Sequence, residues 1–131
     1  MNNINYYIIT PNKKPDFEID IIQFESKLIE NWKEKEYTVK IGTETSDNIL
    51  SFELIHELFE ESLFGVISND KVVIGLESSV KKLLFDFIIW AKKFYPKNED
   101  IHVFNDTNLG ENIKLSDIVE KKNLEDVFII D

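Results

Sequence analysis

Few residues of this chain are equipped for chemistry. It has two histidines, no cysteine and no arginine. His56 opens HELFE, 56–60, and so shares the start of H-E-x-x-H, in which two imidazoles a helical turn apart hold zinc beside a glutamate base. Position 60 is Glu, so the second imidazole is missing. His102 lies in IHVFN and is flanked, like His56, by apolar residues; both read as structural strand histidines. Glu57, Glu60 and Glu61 could furnish the paired carboxylates of a glycosidase, but among 25 acidic side chains such proximity also arises by chance. Gly42, Gly65, Gly75 and Gly110 are too scattered for a phosphate loop, and no serine sits in G-x-S-x-G. Without arginine there is no bidentate clamp for phosphate or carboxylate substrates, and without cysteine no thiolate nucleophile or thiolate metal site. The expectation is a chain that is not an enzyme, with no catalytic residue, no metal and no cofactor.

The same carboxylates suit a different task. If 57–61 is a turn between two strands, Glu57, Glu60 and Glu61 stand at one end of a sheet beside an exposed Leu58 or Phe59, as an acidic rim around an apolar anchor. An interface facing a basic protein needs that combination, because charge sets the encounter rate and a buried anchor sets the affinity. A second candidate patch is Glu44 and Asp47, with Asn48, in the turn before that strand, read as lying on the same side as Asp106.

A scaffold must position these residues, and its centre is the stretch from Ser78 to Pro96. Val80, Leu83, Leu84, Phe87, Ile88, Ala91 and Phe94 recur at helical spacing, and Phe85, Ile89 and Trp90 widen the apolar face. A helix so apolar must be largely covered, so 79–94 reads as a buried core helix, capped by Ser78 or Ser79 and stopped by Pro96. Ahead of it, 4–10 reads as a strand ending at Pro11. A first amphipathic helix follows at 17–33, with Asp20 and Gln23 as a capping box and Asp16 as a rival cap. Residues 37–43 alternate as a half-buried strand does.

The stretch 49–64 fits two periods. Leu50, Phe52, Leu54, His56 and Leu58 alternate as in a strand, whereas Ile55, Leu58, Phe59 and Leu63 fit a helix that Gly65 would cap. Strands are preferred because LFGVI and VVIGL flank the turn formers SNDK, which makes a meander of strands near 49–57, 61–68 and 71–77. After the long helix come a strand at 101–105, a turn-forming stretch at 106–112, one or two helical turns near 116–120 and an apolar tail. Strands in one run with helices outside it indicate an α+β fold: an antiparallel sheet of about five to six strands with helices 79–94 and 17–33 packed on it.

Length and composition bound the rest. The 131 residues suit a single globular domain, 1–131, and 43% hydrophobic residues suffice for a real core. Acidic residues outnumber basic ones 25 to 15, for a formal charge of −10. A phosphate backbone would be repelled, so direct nucleic-acid binding is disfavoured. Solubility is the ordinary consequence of such acidity, and steering toward a basic protein is the sharper one. The N-terminus lacks the pattern of an export signal, and no apolar run approaches the roughly 18 residues of a membrane span. The default placement is the cytoplasm.

From LFGVISNDKVVIGLES through the long helix to WAKKFYP and IHVFND, Leu63 to Asp106, the order of elements resembles small bacterial immunity proteins that neutralise contact-dependent or polymorphic toxins. The resemblance implies a cytoplasmic inhibitor that binds a toxin domain, often a basic nuclease, and blocks its active site or an essential surface. Two other classes stay open, a small carboxylate-dependent enzyme and a structural or adaptor domain that associates with itself through a strand edge.

Overall fold

A computed structural model of the chain describes residues 4–42, 44–106 and 108–128. Among them seven strands form one antiparallel sheet: β1 (Asn5–Pro11), β2 (Tyr37–Gly42), β3 (Asn48–His56), β4 (Ser62–Ser68), β5 (Ile74–Ser78), β6 (Ile101–Asn105) and β7 (Asn108–Lys114). The spatial order is β2-β3-β4-β5-β1-β6-β7, so the first strand in the chain is inserted at the centre, between β5 and β6. The α+β class and the meander of β3, β4 and β5 follow the sequence reading. So does the strand assignment of 49–57, because the alternation buries Leu50, Phe52 and Leu54 on one face.

The topology puts the helices on that face. β1 and β2 run the same way at opposite ends of β5-β4-β3, and β5 and β6 run the same way on either side of β1. Strands of like direction need a crossover rather than a hairpin. Helix α1 (Ile21–Glu34) makes the first crossover and helix α2 (Lys81–Ala91) the second. Asp20 caps α1, its Oδ1 accepting from Gln23 N–H at 3.1 Å. Asp16 is not the cap; it lies in the preceding loop, where its N–H donates to Glu99 Oε1. Phe24, Leu28 and Trp32 of α1 and seven residues of α2 are buried against the inward side chains of the strands. Rings meet there in close pairs: Phe52 with Phe87, Trp32 with Phe87, and Phe24 with Phe52 and Trp90.

Six readings need correction. The first helix begins at Ile21 rather than 17, and the third strand of the meander at Ile74 rather than 71. Neither Ser78 nor Ser79 caps α2: Val80 holds that position with no side-chain cap. Ser78 ends β5 and is buried, its hydroxyl donating to Ser62 O across the strands and accepting from Val80 N–H. The helix proper is shorter than 79–94, giving way at Lys92–Phe94 to a 3-10 turn, after which Tyr95 is extended as a residue before proline must be. Among the described residues the strands number seven rather than five to six, because much of the turn-forming stretch 106–112 belongs to β7, an edge strand paired with β6. The short helix is α3 (Lys121–Val127), beyond the predicted 116–120, whose first two residues fall in a 3-10 turn at Leu115–Asp117. Glu120 and Asn123 close a capping box on α3, and Lys121 reaches Asp86 of α2 at 3.2 Å. Thr43, read as the end of the second strand, and the tail 129–131 lie outside the described residues. No described helix is long and apolar enough to cross a membrane.

Candidate protein interface

The loop between β3 and β4, residues 57–61, carries Leu58 and Phe59 at 72% and 65% exposure, the apolar tip that the sequence suggested. The chain spends several bonds on holding it. His56, the last residue of β3, accepts at Nδ1 from the N–H of Leu58 at 3.0 Å and of Phe59 at 3.1 Å, so its proton sits on Nε2. The imidazole packs between the rings of Tyr37 and Phe59. His56 N–H donates to Glu61 O, and Glu57 N–H donates to the carbonyl of Glu36, a residue in the left-handed region (φ 68°) at the turn between α1 and β2. An exposed loop whose backbone donors are satisfied in one conformation loses little freedom on binding.

Its carboxylates divide into two kinds. Glu57 and Glu60 are exposed and flank the tip. Glu61 is half-buried and accepts from the Tyr37 hydroxyl at 3.2 Å. Burial, then the charge of Glu61 and its hydrogen bond, push the Tyr37 hydroxyl up to about 12, so it remains a donor. Glu57 and Glu60 therefore form the free rim, and Glu61 serves the loop itself. Because His56 ends a strand and spends Nδ1 on the loop, HELFE is neither helical nor arranged as in the zinc motif.

The second sequence-predicted patch does not assemble. Glu44 and Asp47 sit in the β2–β3 turn, where Thr45 Oγ1 accepts from Asp47 and Asn48 N–H. Each hairpin reverses direction, so this turn lies at the opposite end of the sheet from 57–61. Asp106, after β6, shares the end of 57–61 instead. Three inter-strand steps separate β4 from β6, roughly 14 Å.

Sequence reasoning missed the outer face of the sheet. The helices cover one face only, and on the other Tyr6, Ile8, Phe64, Val66 and Phe104 point outward although that face carries no described helix. An open antiparallel face is ordinarily polar. Tyr6 and Phe64, each 41% exposed, wall a trough of about 290 Å³ that also includes Glu77 and Asp106. The signal was present in YYII, where neighbours on both faces are apolar, but only the fold shows which face stays open.

No family model, curated protein or solved structure matches this chain.

At the other end of the sheet, His102 Nε2 meets Asp100 Oδ1 at 2.9 Å and its Nδ1 faces Asn112 Oδ1 at 3.3 Å. Nδ1 thus faces β7, and Nε2 holds Asp100 in the loop just ahead of β6. Partial desolvation pushes the Asp100 carboxyl up. Hydrogen bonds from His102 and Asn12, with the charges of His102 and Lys114, outweigh that and hold it below its ordinary value. A depressed carboxyl stabilises the fold above its unfolded-state value and stops doing so as pH falls through the folded one. Asp100→Asn is therefore expected to lower the urea midpoint at pH 7, and its difference from wild type to close as pH falls below about 4. A difference that persisted in acid would show that charge is not what Asp100 contributes. Among the described residues no three His, Asp or Glu side chains converge as a metal site would require.

Proposed function

We infer that this chain is an inhibitor that works by binding a basic protein directly, in the manner of an immunity protein that neutralises a cognate bacterial toxin domain such as a nuclease. The observation that carries this reading is the loop 57–61: two exposed apolar side chains held by His56 in one conformation, between the free carboxylates of Glu57 and Glu60. Exposed large apolar side chains in a fixed loop suit anchors that enter a partner's pocket. The formal charge of −10 adds long-range attraction to a positive surface. On a nuclease, acidic side chains at such a surface would occupy the places where substrate phosphates lie, so inhibition would need no chemistry from this chain.

The reading is tested with the basic protein encoded by the adjoining reading frame. Association should slow as salt rises, since the screening length shrinks from about 10 Å at 0.1 M to about 3 Å at 1 M. Glu57→Lys with Glu60→Lys should slow association about ten-fold at low salt and leave thermal stability within about 0.5 kcal/mol of wild type. Glu61 is left intact because its carboxylate serves Tyr37. Association rates indifferent to both salt and charge reversal would remove the loop from the interface, and turnover of a small molecule by the purified chain would remove inhibition as its function.

A further inference from the structure

We propose that the trough on the open face of the sheet receives an arginine side chain of the basic partner. This rests on the reading of the chain as a protein-binding inhibitor and adds to the Phe59 tip a second, chemically distinct point of contact.

Strand register builds the trough. Glu77 on β5 stands directly across from Phe64 on one side and Tyr6 on the other, so one row reads ring, carboxylate, ring. In the next row Val66 and Ile8 flank Gly75, which has no side chain and leaves a dip in the floor. A Cβ at Gly75 would lie 3.3 Å from Val66 Cγ2, so a larger residue there would crowd the opening as well as fill it. Asp106 is brought to the rim by its backbone, whose N–H donates to Tyr6 O at 2.8 Å.

The chemistry of these walls selects the occupant. An aromatic face carries negative charge density and a carboxylate a full negative charge, so a cation in the trough is attracted by both kinds of group. A cation between Tyr6 and Phe64 pairs with Glu77 and meets both rings, while Asp106, on the far side of Tyr6, adds its charge at longer range. At about 290 Å³ the trough falls just below the roughly 300–1,000 Å³ that takes a whole small molecule, a size suited to one long side chain. Arginine fits better than lysine, because a planar guanidinium can stack on a ring while its edge pairs with a carboxylate. The acidity of the chain makes a basic partner the complementary source. Trough and tip also lie near the same end of the sheet, and a standard interface covers roughly 800 Å² of each partner, enough to span both.

The test needs no partner. N-acetyl-arginine amide is titrated into the whole chain and followed by NMR of backbone and aromatic signals. Shifts should concentrate at Tyr6, Phe64, Gly75, Glu77 and Asp106, with a Kd on the order of millimolar, as a few exposed contacts allow. N-acetyl-norleucine amide, of similar reach but neutral, should leave them unmoved. Glu77→Gln should weaken arginine binding about five-fold or more. Tyr6→Leu with Phe64→Leu keeps the apolar area but removes the ring faces, and it should weaken binding as well; this pair carries the test if Glu77→Gln does not fold. Equal shifts with the neutral probe, tighter binding of the lysine analogue, or unchanged binding in the folded variants would overturn the assignment. Glu57→Lys with Glu60→Lys should leave the titration as it was, so failure of the trough and failure of the tip are read separately.

Discussion

Replacing Leu58 and Phe59 together by alanine is expected to cost at least about 2 kcal/mol of binding to the basic partner, roughly 30-fold in Kd. The loss should appear in the dissociation rate, because the anchors act once the surfaces have met, whereas the Glu57 and Glu60 charges act on the approach. Folding stability should stay within about 0.5 kcal/mol, since both side chains project from the body and bury little on folding. The ring of Phe59 does lie 4.9 Å from the imidazole of His56, and alanine removes that contact. The backbone bonds from Leu58 and Phe59 to Nδ1 do not depend on either side chain, so the loop keeps its shape. Biolayer interferometry for the rates and a thermal melt for the fold separate the two effects. A double variant that dissociates no faster than wild type would show that the partner does not use this tip.

Gly65→Ala should damage the fold far more than Gly75→Ala, whose Cβ would come no closer than 3.3 Å to Val66 Cγ2. Gly65 pairs with Phe52 across β3 and β4, and a Cβ built on it would lie 2.2 Å from Phe52 Cζ, far inside van der Waals contact. The ring cannot move aside cheaply, because it stacks on Phe87 at 5.4 Å and 20° and lies 5.6 Å from Phe24. Overpacking alone costs about 1–3 kcal/mol, and removing a buried Phe outright about 3–5. Dislodging Phe52 should fall near 3 kcal/mol, a large part of the roughly 5–15 kcal/mol that holds a domain together. Urea unfolding would read this as a lower midpoint at nearly unchanged slope. Combining Gly65→Ala with Phe52→Leu should cost less than the sum of the two, because the smaller side chain vacates the space that the new methyl needs. Additive costs would mean that the ring does not rest on Gly65.

How far the fold could be read ahead depended on how much each segment's own side chains decide. The α2 stretch and the meander were legible because apolar residues at period 3.6 or period 2 must be buried, whatever packs on them. The Asp20 cap was legible because it is a local bond between residues three apart. β7 was not, because in NLGENIK the pairing is made by backbone against β6 at a sheet edge and the side chains carry almost no alternation. The start of α2 was misread because Ser78 had a competing partner, the Ser62 carbonyl, which is 16 residues away in sequence and adjacent only across strands. For the candidate site, the loop 57–61 with its exposed apolar pair could be located from sequence. The separate duties of its three carboxylates could not, since Glu61 is set apart only by meeting Tyr37.

The sequence by itself therefore determined the class of the fold, its main helices and central hairpins, its acidity and the hairpin loop that displays Leu58 and Phe59. Composition and local periodicity suffice for these. Only the tertiary structure decided that β1 enters the middle of the sheet, that both crossover helices lie on one face, and that Glu77 comes to stand between Tyr6 and Phe64. Contacts between residues 13 and 71 positions apart depend on strand order and register, which are set by the packing of the whole chain rather than by the propensity of any segment.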